Sequence, residues 1–170
     1  MPNLDPTVIA ITITPATPED VPALFQLVMA LADYEKLSHE VSGTPEDLAQ
    51  HLFGDRPHAE AILAWVEGKP VGFALFFHNF STFLMKPGIY LEDLFVMPDY
   101  RGYGIGKALL RALSKLAVER DCGRLEWMVL DWNEPAIAFY QRMGAELKVE
   151  WELCRVTGDA LQRLAEDSSS

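Results

Sequence analysis

Apolar residues recur along this chain with two periods, and the changes from one to the other mark out its elements. From Val8 to Ile13 they alternate with threonine, the period of a half-buried strand. Val21, Leu24, Phe25, Val28, Leu31 and Ala32 then fall at helical spacing, which predicts an amphipathic helix over 18–35. Thr-Pro-Glu-Asp stands at 17–20 and again at 44–47. Each copy puts Thr at the cap, Pro at the first helical position and acid in the first turn, so a second, shorter helix is expected over 45–53. Strands over 60–66 and 71–78 flank Glu67-Gly68-Lys69-Pro70 as a hairpin, and a strand over 89–97 is closed by Pro98. Leu109, Leu113, Leu116 and Ala117 line one side of a helix over 104–120, and 124–131 reads as a strand. Asn133 caps a helix that carries Pro135 in its first turn and stops at Gly144. Two strands over about 145–156 and a short C-terminal helix complete the pattern. The order β-α-α-β-β-β-α-β-α-β-β predicts an α/β fold with a mixed central sheet and flanking helices.

Composition bounds what such a fold can do. The chain has 170 residues, 49% apolar and 23% charged, enough for one domain that buries roughly 70% of its unfolded surface. That domain is expected over 8–165, with 1–7 and 166–170 as flexible ends. Fourteen Lys and Arg against 25 Asp and Glu leave a net charge of −11, which argues against a broad grip on nucleic acid or an anionic membrane. A small cationic partner suits it better. Cys122 and Cys154 lack ligand-spaced companions and read as two reduced core thiols. His39, His51, His58 and His78 show no pairing suggestive of a metal, so no metal site is expected. No basic segment leads into an apolar h-region, and no apolar run approaches the roughly 20 residues that span a bilayer; a cytoplasmic protein is expected.

The sharpest local signal is Arg101-Gly102-Tyr103-Gly104-Ile105-Gly106-Lys107, between a strand and a helix. Glycines there allow unusual φ and close approach of a ligand, and exposed N–H groups at a helix N-terminus form a socket for phosphate or pyrophosphate. A ligand-free glycine turn is the plainer reading. The loop is not a Walker sequence, because Ala108 stands where Ser or Thr must meet magnesium, and it lacks the third glycine of the dinucleotide pattern. Lys107, Arg111 and Lys115 continue from it as a basic strip, serving either an anion or solvent. Further on, Tyr140 lies seven residues after the Asn133 cap, on the same helix face. Its phenol either packs in the core or reaches a group bound near the helix start.

Together, Tyr90-Leu91-Glu92-Asp93-Leu94-Phe95-Val96-Met97-Pro98, the glycine loop, and Trp132-Asn133-Glu134-Pro135 through Tyr140 to Gly144 resemble the Gcn5-related N-acetyltransferases. Within them the sequence is most similar to the diamine (spermidine/spermine) N-acetyltransferases and their thialysine-acetylating relatives. The resemblance runs from about Ile11 to Leu164. It implies a sheet splayed between its fourth and fifth strands and acetyl-CoA as co-substrate. Leu94, Phe95 and Val96 would bond the pantetheine arm, Arg101 to Lys107 the pyrophosphate, and Asn133, Glu134, Pro135 and Ala136 the same arm, with Tyr140 as general acid. It also implies a homodimer.

The reaction adds its own demands. An alkylammonium with a pKa of about 10.4 must lose a proton before it attacks a thioester, and Glu92 is the expected base. A backbone N–H near Leu94 would stabilise charge on the carbonyl oxygen. Tyr34 and Glu35 resemble the family's amine-binding pair, and Glu92, Glu126, Trp127 and Met128 would add wall, although Glu35 and Glu126 also read as plain surface charge. Glu150 or Glu152 would supply a further acidic contact. Ser114 and Cys122 lack any nucleophile-elbow context, which fits direct transfer. The expected activity is N-acetylation of a small polyamine or diamine. Thialysine or another lysine-like amine is the alternative acceptor, and a non-catalytic acyl-CoA binding module is the alternative class.

Overall fold

A computed structural model describes residues 9–166, so the expectations for 1–8 and 167–170 lie outside the described residues. The chain forms two compact units, 1–130 and 131–170. The first holds a five-stranded sheet in the order β1-β2-β3-β4-β5. Its strands are β1 (Ile11–Pro15), β2 (Glu60–Val66), β3 (Lys69–Ser81), β4 (Lys86–Val96) and β5 (Leu125–Trp127). Neighbours run antiparallel except β4 and β5, which are parallel and joined through helix α3 (Ile105–Glu119). The mixed sheet read from the sequence is therefore present.

Local chemistry explains most of the boundaries. At 17–20 the Asp20 carboxylate accepts from the N–H and the hydroxyl of Thr17, both at 2.9 Å, and closes a 3₁₀ turn that leads into α1 (Val21–Glu35). The second Thr-Pro-Glu-Asp caps α2 (Pro45–Phe53) directly: Thr44 accepts from the Asp47 N–H at 3.2 Å, while the Asp47 carboxylate accepts from Thr44. Glu67 and Gly68 both have positive φ, 51° and 74°, the signature of a two-residue type I′ hairpin turn.

Register then divides the core. Leu63 opposes Phe73, and Phe73 opposes Phe95, so these three share a face; α1 and α2 cover it with Leu24, Leu27 and Leu52. The opposite face packs under α3, whose Ile105, Leu109 and Leu113 are buried. Both faces of the central strands are thus dry, which is why β2 reads as a nearly continuous apolar run.

Three expectations fail. Residues 145–156 form no strand, although Leu147, Val149, Trp151 and Leu153 alternate with charged or polar neighbours. Alternation gives a segment two faces but cannot supply the neighbouring strand whose hydrogen bonds make it β, and these side chains stay exposed. Likewise β5 has three residues rather than the eight expected over 124–131. The predicted C-terminal helix is present as α5 (Gly158–Glu166). Cys154 is exposed and Cys122 only partly buried, so neither is the core thiol expected, though both are free.

Core and surface aromatics should respond very differently to truncation. Phe73, fully buried, should lose about 3–5 kcal/mol on change to alanine. Phe83, 96% exposed at the β3–β4 hairpin tip, should lose less than about 0.5 kcal/mol. Urea denaturation of the two variants checks the contrast.

Candidate active site

The site is organised by one irregularity in β4. Leu75 opposes Asp93 and Phe76 opposes Leu91, which leaves Glu92 as an extra residue without a partner on β3: a β-bulge. Ahead of the bulge, the Ile89 N–H donates to the Arg124 carbonyl, so Ile89 and Leu91 turn their backbone groups toward β5. Beyond it, the Met97 N–H donates to Val71 at 2.9 Å, and alternation from there gives Asp93 and Phe95 to β3. Leu94 and Val96 therefore turn their N–H and C=O groups to the β5 side. But β5 accompanies β4 only as far as the pair Leu91 and Trp127. The expected splay is this early end of the parallel ladder, and it leaves a short length of strand edge with donors and acceptors for an extended ligand.

That edge runs into the glycine loop. Pro98–Tyr100 make a 3₁₀ turn, Gly102 and Gly104 take φ of 86° and 84°, and α3 starts at Ile105. Only glycine holds that backbone without strain, and a Cβ built at either position meets nothing within 4 Å, so the loop surface is open. Gly104 is the N-cap and makes no side-chain cap bond. The first N–H groups of a 15-residue helix, with the positive end of its dipole, are thus presented together. Lys107, Arg111 and Lys115 are all exposed along the same helix.

Tyr34 and Glu35, expected to bind the amine, stand at the end of α1, the helix that covers one face of the sheet. Because the bulge reverses the phase of β4, Asp93 and Phe95 both lie on the α1 face, where the Phe95 ring stands 6.4 Å from that of Tyr34. Burial raises the Asp93 carboxyl to about 6, reinforced by the charges of Glu92 and then Glu35. Burial also raises the Glu35 carboxyl above its ordinary value. The Asp93 carboxyl thus feels charge from Glu92 on its own strand and from Glu35 on α1. Asp93 is the residue that sequence reasoning assigned no role; the only signal was its place beside Glu92, since its phase depends on the bulge.

Other expected wall residues are placed differently. The Glu126 carboxylate already accepts from Asn79 Nδ2 and pairs with Arg124 Nε, both at 2.8 Å. Trp127 is partly buried and Met128 exposed, while Glu150 and Glu152 are exposed outside any regular element. In the second unit, Asn133 Oδ1 accepts from the Ala136 N–H and caps α4 (Glu134–Arg142), with Pro135 in its first turn. Tyr140 is buried on α4, and its ring stands 5.3 Å from that of Phe139. The histidines are not all solitary: His51 and His58 approach to 3.3 Å between Nδ1 atoms. No group of three metal-ligating side chains occurs among the described residues.

Comparison with known proteins agrees with this geometry. The model of the acetyltransferase (GNAT) family matches residues 27–145. L-ornithine N5-acetyltransferase NATA1 of Arabidopsis thaliana is 37% identical, over 88% of this chain and 85% of that protein. Thialysine N-epsilon-acetyltransferase of Bos taurus is 35% identical, over 84% and 89%. Among solved structures, an integron cassette protein from the mobile metagenome of V. cholerae superposes with a TM-score of 0.79 at 29% identity, covering 94% of this chain and all of that one. The open strand edge and the uncapped N-terminus of α3 suit the amide arm and pyrophosphate of acetyl-CoA. The chain belongs to the acetyltransferase (GNAT) family and is an N-acetyltransferase with acetyl-CoA as its co-substrate.

Proposed function

We propose that the acceptor is the terminal primary amine of a short, lysine-like amino acid or diamine. The carrying observation is the bulge at Glu92, which sets the buried Asp93 carboxyl on the α1 face within reach of the charges of Glu92 and Glu35 and opens the Leu94–Val96 edge in the same few residues. Glu35 and Asp93 attract the ammonium, and Glu92, exposed, takes its proton. The Leu94 N–H donates to the thioester oxygen as charge grows there. Tyr140 returns a proton to the departing sulfur. Gly102 to Lys107 hold the pyrophosphate, and Asn133 to Ala136 line the arm. The names of the ornithine and thialysine relatives favour an amino-acid side chain over a long polyamine. Spermidine or spermine is the second reading, supported by a spermidine/spermine acetyltransferase-like protein of Homo sapiens, 33% identical over 86% of this chain and 22% of that protein.

Residues 8–165 work as one domain in this reading, supported by a family match that runs across both units. A homodimer is supported by the family resemblance and by exposed apolar stretches at Phe83–Met85 and at Val149 and Trp151. No helix among the described residues is long and apolar enough to cross a membrane. Two free cysteines support a cytoplasmic setting.

Release of CoA from acetyl-CoA against ornithine, thialysine, lysine, putrescine, spermidine and spermine tests the acceptor. Preference of tenfold or more in kcat/KM for ornithine or thialysine is expected, and the same preference for spermidine or spermine would replace the first reading with the second. Tyr140→Phe should lower kcat by about 10²–10⁴-fold, as loss of one acid group does, with acetyl-CoA binding retained. An unchanged kcat would remove Tyr140 from the chemistry.

Asp93 gives a pH signature with a definite sign. Its carboxyl titrates near 6 when folded and near 3.9 when unfolded, so the folded state holds the proton more tightly. The associated stability is fully present below about 3.9 and is lost as pH rises through about 6. Asp93→Asn should therefore gain about 1–2 kcal/mol over wild type at pH 7.5, with the gain shrinking toward pH 4.5. Urea melts at both pH values read it; an equal difference at both would contradict it.

A further inference from the structure

Arg101 opens the glycine loop, yet its side chain reaches back to bond and stack elsewhere. Its Nε–H donates to the Val96 carbonyl at 2.9 Å. Its guanidinium lies 4.2 Å from the ring centre of Tyr34, at the end of α1, and 5.6 Å from that of Phe95 on β4. The two rings are neighbours, 6.4 Å apart between centres, with Phe95 buried at 3% exposure and Tyr34 36% exposed. One side chain thus ties together the loop, the last turn of β4 and the helix end that carries Glu35.

Each contact uses a property special to arginine. The donor is the nitrogen inside the chain, which lysine lacks, and the stacking needs a flat, permanently charged group rather than a point charge. Val96 is one of the two residues whose backbone turns outward beyond the bulge, so Arg101 occupies one of the four outward polar groups. The remaining three are the Leu94 N–H and C=O and the Val96 N–H.

We propose that Arg101 is a positioning residue that couples the two halves of the site through Tyr34, rather than a direct cationic contact for the pyrophosphate. Resting on the acetyl-CoA and amine assignments above, this gives Tyr34 a role on the cofactor side although it stands on the amine-side helix. Loosening the Arg101–Tyr34 stack frees Gly102–Lys107 and the Tyr34-Glu35 turn together. Removing either partner therefore weakens acetyl-CoA binding, and removing both does little more than removing one.

Calorimetric titration of acetyl-CoA without amine, on wild type, Arg101→Lys, Tyr34→Leu, Tyr34→Phe and the Arg101→Lys/Tyr34→Leu double variant, tests this. Arg101→Lys and Tyr34→Leu should each raise Kd by about three- to tenfold, Tyr34→Phe by less than about twofold because its ring remains, and the double variant by about as much as Arg101→Lys alone. In turnover, Arg101→Lys should raise KM for the amine as well, with kcat changed less than about threefold. Circular dichroism on each variant separates these effects from unfolding; should Tyr34→Leu not fold, Tyr34→Met takes its place in the cycle. Wild-type affinity in Arg101→Lys would show that a point charge suffices and overturn the proposal. So would wild-type affinity in Tyr34→Leu, or additive losses in the double variant. Wild-type protein that binds no acetyl-CoA would overturn the functional reading and this inference with it, whereas normal wild-type binding with indifferent variants would overturn this inference alone.

Discussion

Everything proposed for this site depends on one residue having no partner. Without the bulge at Glu92, strict alternation along β4 would turn Asp93 and Phe95 toward β5 and leave Leu94 and Val96 bonded to β3. The faces would change as well, because a shift of one residue moves every side chain beyond it to the other side of the sheet. Phe95 would leave the cluster formed with Phe73 and Leu63, and Asp93 would leave the face of α1. The bulge lets the first half of β4 pair with β5 and the second half keep its apolar side inward while presenting a different set of amides outward. The parallel ladder can then stop at Leu91 without exposing the core.

Two electrostatic demands lie side by side on a chain of net charge −11. An amine wall as proposed needs carboxylates, and burial, reinforced by the charges of Glu92 and Glu35, raises the Asp93 carboxyl to about 6. The cofactor side needs positive potential, which comes from glycine-held backbone N–H groups and a helix dipole, with the exposed basic strip of α3 beyond. Backbone donors suit this arrangement because they are fixed by the fold.

Much of this was legible in the sequence, for reasons that differ by element. Caps and turns are local chemistry: Thr44 with Asp47, Glu67-Gly68, and Gly102 with Gly104 each act within a few residues, and all are found where the motifs placed them. The bulge left no local mark, because Tyr90-Leu91-Glu92-Asp93-Leu94 reads as an ordinary strand and only pairing with β3 reveals the extra residue. For the same reason Asp93 went unassigned. Glu126 looked like a free acid because its bonds to Asn79 and Arg124 involve β3 as well as its own strand. The stretch 145–156 failed in the opposite sense: its alternation is clear, but alternation names a face and not a partner.

The direct test of the bulge is residue-resolved amide hydrogen exchange by NMR, with and without acetyl-CoA. Asp93 and Phe95, bonded to β3, should exchange slowly in both states. Leu94 and Val96, turned to the open edge, should slow by about tenfold or more when acetyl-CoA is added. Protection that appears at Asp93 and Phe95 instead, or acetyl-CoA binding that leaves Leu94 and Val96 unchanged, would contradict the account at its foundation.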